Sequence, residues 1–219
     1  MTVRFQRWLS SPTCSNGHPS HLEEILDLCI KSLADPHHKV TAQAHIAIEN
    51  LCKIRNTLLI SRLDTLLPAL FTRMCECHPG SREKASDMVD LIREVQDPQT
   101  IMAALSPRLT ELPKRTLTSA LQLLVALVPA CESYFSQPQN TGAFIHKLAM
   151  VLSPSNGERP SPSAVVAGEQ LLELVHKINS EVIIYFVTIT LFSHSNGCSL
   201  SGHSLPPFLY TSRVASERC

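Results

Sequence analysis

The residues with the most obvious chemical capacity are Cys75, Glu76, Cys77 and His78, four consecutive potential metal ligands. Zinc sites hold four ligands tetrahedrally and are usually built from two separated pairs, such as a CxxC unit with a second CxxC or an HxxxH. Here a CxC runs straight into a histidine and no second pair lies nearby, so the spacing does not describe a zinc site and no metal is expected. A Cys–His nucleophile also needs a third group to orient the base, and a cleft. Cys75 instead continues a helical apolar pattern and reads as structural. His45 stands among Ala44, Ile46 and Ala47 and reads as a partly buried histidine rather than a general base. The paired acids Glu23 and Glu24 have a helix-capping explanation. No GxGxxG, GxxxxGK[ST], HExxH or GxSxG string occurs. Neither catalysis nor a cofactor nor a small-molecule substrate is expected.

A second pattern is electrostatic. Asp35-Pro36 leads into His37, His38 and Lys39; Pro79-Gly80 leads into Arg82 and Lys84; Leu112-Pro113 leads into Lys114 and Arg115. The first turn of a helix carries partial positive charge, so a cation there is disfavoured by about 0.3–1 kcal/mol. The same oddity recurs at three successive proline-led helix starts. It gathers cations and free backbone N–H groups on one edge of a chain whose Lys plus Arg and Asp plus Glu both number 19. Only Glu83 interrupts the run, and the fourth such start, Ser161-Pro162-Ser163, is uncharged. An edge of this kind suits an acidic, extended protein surface. Ordinary solvated lysines and arginines are the plain alternative. The balanced total charge argues against nucleic acid as a partner.

The elements that must position these cations are helical. Apolar residues recur at helical spacing in Leu22, Ile25, Leu26, Cys29 and Leu33; in Val40, Ala44, Ala47, Ile48 and Leu51; in Leu63, Leu66, Leu67, Leu70, Phe71 and Met74; and in Ala85, Met88, Val89, Ile92 and Val95. Ser20-His21-Leu22-Glu23 has the capping-box form. Asp97-Pro98 combines an N-cap with proline at the first helical position. The helices pair as 20–34 with 37–54, 61–77 with 81–95, 98–108 with 114–130, and 140–152 with 163–178. Each pair spans roughly 35 to 45 residues, the period of HEAT and armadillo repeats. Pro68 falls inside a helix, which it should kink. A single pair cannot bury its apolar face, whereas stacked pairs share a continuous core. The expected fold is therefore all-α, an α-solenoid of about four antiparallel helix pairs over residues 20–192, with a plain helical bundle as the alternative. Residues 1–19 read as a disordered lead-in and 193–219 as a disordered tail.

Other features bound the class. Seven glycines are few for β-rich folds or phosphate-cradling loops. The eight cysteines could suggest disulfides, but no secretory signal is visible in MTVRFQRWLSSP, and Cys29, Cys52 and Cys131 fall in apolar helical patterns; a reducing compartment fits. The first 22 residues lack acids and include Arg4 and Arg7, a faint likeness to a mitochondrial transit sequence. The run VIIYFVTITLF, from Val182 to Phe192, is shorter than the about 20 residues a membrane span needs. It is ambiguous between helix and strand, and a helix is preferred because a lone strand has nothing to pair with. SPSNGERPSP at 153–162 reads as a loop.

The strings DPHHKVTAQAHIAIENL, RLDTLLPALFTRM and SREKASDMVDLI resemble the TOG domains of the CLASP and crescerin families. Those domains carry an Asp-x-x-x-Lys-Val turn, a Leu-Leu-Pro-x-Leu-Phe first helix and an Arg-x-Lys-Ala start to the second helix. The similarity covers about residues 20–178. It implies an α-solenoid whose intra-repeat turns contact tubulin, with His38, Lys39, Arg82, Lys84, Lys114 and Arg115 as candidate contacts. It further implies a role in microtubule dynamics or organisation, in the cytoplasm and cytoskeleton or at the ciliary axoneme. TOG domains usually stack six pairs and use an aromatic residue, commonly Trp, in the first. Here the match starts at the third pair, and Trp8 is not assigned that role. A general HEAT-repeat scaffold for another protein is the alternative.

Overall fold

Asp97 shows how this chain starts its helices. Its carboxylate accepts from the Thr100 backbone N–H at 3.0 Å, and Pro98 follows in the first turn. Ser161 repeats the device, accepting from Ala164 N at 3.1 Å ahead of Pro162. The helices beginning at Pro79 and Pro138 likewise place proline where its missing N–H has no intrahelical partner to lose. Pro98 thus stands at the first helical position as expected, whereas Pro79, Pro138 and Pro162 belong to helices they were expected only to precede.

The computed structural model describes residues 19–54, 56–76, 78–153 and 159–180. The expected lead-in with Trp8, the apolar run from Val182 to Phe192, the expected tail and Cys77 lie outside them, as do residues 154–158 of the 153–162 loop. So does the side chain of Ser20, and with it the expected capping box. All the regular structure among the described residues is helical. The α-helices are α1 (Pro19–Leu33), α2 (His38–Ile54), α3 (Asn56–Ile60), α4 (Leu63–Met74), α5 (Pro79–Val95), α6 (Pro98–Leu105), α7 (Leu117–Leu127), α8 (Glu132–Phe135), α9 (Pro138–Leu152) and α10 (Pro162–Ile178). Short 3-10 helices cover Ser106–Glu111, Lys114–Thr116 and Val128–Ala130. No helix among the described residues is long and apolar enough to cross a membrane.

The expected pairs are present with one structural difference. The third pair is not two plain α-helices: α6 tightens into 3-10 turns at Ser106-Pro107, and α7 is preceded and followed by 3-10 turns next to Pro113 and Pro129. Proline cannot donate the i to i−4 hydrogen bond, so the regular helix gives way at each of these places. The short helices α3 and α8 fill inter-pair connections that the sequence pattern left unassigned.

Within pairs, α1 packs on α2, α4 on α5, and α9 on α10. Between pairs, α1 lies on α4 and α2 on α5; the Ser106–Glu111 turn lies on α9 and α7 on α10. In the middle of the array α7 leans on α4 and α6. One continuous apolar core runs from Leu22 to Val175, and Phe71, Phe135 and Phe144 are its largest fully buried side chains. Most expected core residues are buried. Val40 is 40% exposed, because it lies in the first turn of α2, at the rim of the array. Gly168 lets α10 approach closely: a Cβ there would meet Leu152 Cδ1 at 2.4 Å.

Candidate functional site

The four turns that join the two members of each pair are tied to one another in chain order. Arg73, at the end of α4, donates from Nη2 to the Asp35 carbonyl of the first turn at 2.8 Å. Its Nη1 pairs with Glu76 Oε1 in the second turn, and Glu76 Oε2 accepts from Ser81 Oγ at 3.0 Å. Cys75 Sγ then donates to the Arg115 carbonyl beside the third turn at 3.1 Å. Lys114 Nζ donates to Val151 O at 2.8 Å where α9 runs into the fourth turn, and the Thr118 and Ser161 hydroxyls meet at 2.9 Å. Turns that bond to their neighbours one after another lie along one edge.

Local chemistry shapes each turn. Asp35 Oδ1 accepts from the His37 backbone N–H at 2.7 Å and lies 3.1 Å from His37 Nδ1. These bonds, the backbone N–H first, hold the Asp35 carboxyl below its usual range. Thr41 Oγ1 donates to the Asp35 carbonyl at 3.1 Å and closes the turn onto α2. Two acids of the turns are thus engaged internally, Asp35 by backbone and Glu76 by Arg73.

The cations divide into two groups. His38, Lys39, Arg82, Lys84 and Arg115 are exposed, and among the described residues the lysines and arginines of this set have no ion-pair partner. Lys84 also lines a cleft between α2 and α5. Lys114 is different. It is half-buried, and its ammonium caps the last carbonyls of α9, where a positive charge complements the helix dipole. It is a structural tie and not a free edge cation. Glu83 is exposed on the edge, as the sequence pattern anticipated.

The surface of the first helices is arranged otherwise. Arg62 Nε donates to Asp27 Oδ1 at 2.6 Å, and Arg108 pairs with Asp64 at 2.7 Å and Glu111 at 2.8 Å. Asp27, bonded by Arg62, has its carboxyl held below its usual range. Cations there are neutralised across neighbouring helices, whereas those at the edge of turns are left open.

Arg73 is a functional residue of the turns that carries a signal of its own in the sequence. It continues the Leu66, Leu70 stripe at helical spacing, and an arginine on a core stripe demands internal partners. It is 8% exposed.

The four cysteines among the described residues are free thiols. Burial pushes Cys52 up to about 12 and Cys131 up to about 11, and it raises Cys29 and Cys75 as well. All four are therefore held as thiols. Among the described residues no three His, Cys, Asp or Glu side chains gather as a metal site. His45 is buried, as its apolar neighbours implied.

Comparison with protein-family models gave no match, and no curated protein matched the chain.

Proposed function

We propose that this chain is a non-enzymatic helical-repeat module of the TOG type that binds tubulin through its edge of turns and modulates microtubule dynamics or organisation. The stacking of first helices on first helices and second on second supports a HEAT-like solenoid. The observation that carries the reading is the sequence of hydrogen bonds linking the four turns, together with Lys39, Arg82, Lys84 and Arg115 beside those turns, which are exposed and in no ion pair among the described residues, with Glu83 the acid that interrupts them. Unpaired cations on one rim raise the local positive potential, which favours and steers an acidic partner. The natural setting of this activity is the cytoplasm and cytoskeleton, including the ciliary axoneme.

The test is co-elution with tubulin on size exclusion, and co-sedimentation with microtubules. Wild type should bind, and binding should fall with ionic strength because exposed charge contacts are screened beyond about 8–10 Å at physiological salt. The triple variant Lys39→Glu, Arg82→Glu, Arg115→Glu should lose binding while retaining its helical content. Equal binding by the two proteins overturns the proposal. A second reading, a scaffold for another helical protein, draws on the half-open cleft between α2 and α5. Partner binding that survives high salt favours it.

A further inference from the structure

Each pair in the array covers the side of the one before it, and no described element follows α10. The surface left on the last pair is apolar along one line. Leu152 of α9 packs so closely on Gly168 of α10 that a Cβ on the glycine would lie 2.4 Å from Leu152 Cδ1. On α10, Val165 and Leu172 stand three residues before and four after Gly168, and so share its side of the helix. On α9, Ala149 stands three before Leu152. Leu152, Val165 and Leu172 are half-buried and Ala149 is exposed. Together they make an uncharged strip where α9 and α10 meet. Lys147, the only lysine, arginine or acid of α9, is engaged by the third pair instead, donating to the Pro107 carbonyl at 3.1 Å.

The chain leaves this strip with little slack. Asn179 ends α10 and is held there, its Nδ2 donating to the Phe135 carbonyl at 3.0 Å. The run VIIYFVTITLF begins three residues further on, at Val182, and contains no charged residue. It lies outside the described residues, but its place in the chain limits where it can go. Residues 179–181 reach at most about 10–11 Å, close to the about 8–10 Å between packed helix axes. The run is about 16 Å long as a helix and longer when extended, against about 10 Å from Val165 to Leu172. A second copy fits less well. A stable dimer buries about 800 Å2 on each partner, more than four side chains offer when three are already half covered. A segment tethered by so short a linker acts at an effective concentration in the millimolar range, and it takes its own apolar surface out of water as it docks.

We propose that residues 182–192 of this chain dock on the strip of Ala149, Leu152, Val165 and Leu172 and close the open side of the last helix pair. The run takes the place that a following pair holds in the interior of a repeat stack, where each unit covers the apolar side of its neighbour. Glu169 and His176, exposed and four residues beyond Val165 and Leu172, border the contact with polar groups. This contact does not depend on tubulin binding by the edge of turns.

The experiment is amide hydrogen exchange of the whole chain, read by mass spectrometry, with light scattering on the same sample. Peptides covering 182–192 should exchange at least tenfold more slowly than the intrinsic rate of an unstructured chain. Their protection should survive tenfold dilution, in a protein with the mass of a monomer. Ala149→Arg puts a charge into the contact at an exposed position in the last turn of α9, where the helix dipole favours a cation. It should speed exchange of 182–192 at least fivefold while peptides from α1 to α5 keep their rates. Exchange of the run at the unstructured rate overturns the proposal. So does protection lost on dilution, which would mean that a second copy covers the run, and so does protection unchanged in Ala149→Arg. If that variant fails to fold, Val165→Glu, in the first turns of α10 where the dipole favours an acid, gives the same reading: faster exchange of 182–192 alone supports the contact, and unchanged exchange overturns it.

Discussion

Arg73 offers the sharpest test of how the edge of turns is built. Its side chain is 10% exposed and makes two bonds, one across to the Asp35 carbonyl of the first turn and one to Glu76 in the second. Arg73→Met keeps most of the stem that packs against the core and removes both bonds. Hydrogen bonds to charged groups contribute about 1.5–3 kcal/mol each. The lower end applies here, because each deserted partner keeps another: Thr41 Oγ1 still donates to the Asp35 carbonyl, and Ser81 Oγ still donates to Glu76. Glu76 is also 33% exposed, so water reaches it. The sum is about 3 kcal/mol, which at about 2–4 °C per kcal/mol for a domain of this size lowers the melting temperature by about 6–12 °C. Urea and thermal unfolding followed by circular dichroism measure it. A double-mutant cycle with Glu76→Gln should return a coupling within about 0.5–3 kcal/mol. A loss below about 1 kcal/mol for Arg73→Met, no more than one ordinary hydrogen bond, would refute the claim that this side chain joins the first two turns.

Three further outcomes follow from named contacts. Lys114→Met removes the ammonium that caps α9 and should cost about 1 kcal/mol in urea unfolding, with tubulin co-elution unchanged; loss of co-elution in a folded variant would return Lys114 to the contact set. Asp97→Ala removes the acceptor for Thr100 N and Thr100 Oγ1 and should cost about 1 kcal/mol by the same assay. The pH dependence concerns His45, whose proton affinity is lowered first by burial and then by Lys84 and Arg73. Below its ordinary value of 6.5 the unfolded chain takes up a proton that the folded ring resists, so stability is full above that pH and falls as the pH drops below it. Unfolding midpoints of wild type and His45→Phe from pH 7.5 to 5 should diverge, with the variant's slope shallower; parallel profiles would refute the assignment.

The helices were legible in the sequence because their signals are local. The stripe Leu63, Leu66, Leu67, Leu70 and Phe71 repeats at the helical period, and Asp97-Pro98 announces a helix start through chemistry confined to four residues. All five stripe residues are fully buried, and the cap forms as written. The same local logic made His38, Lys39, Arg82, Lys84 and Arg115 surface cations at helix starts, and they are exposed. It failed where proline spacing interrupted a long apolar pattern, as in the third pair, because periodicity does not register the loss of single backbone donors.

What no local pattern could decide is which group meets which across a stack of helices. Lys39 and Lys114 look alike in the sequence, each following a proline-led turn. One stays in solvent, while the other reaches 37 positions along the chain to the carbonyl of Val151. Arg73 likewise finds the Asp35 carbonyl 38 positions away. Helix formation depends on neighbours a turn apart, so the sequence states it directly. The fate of a charged side chain depends on the carbonyl or carboxylate that packing brings beside it, and that is settled only when the pairs stack.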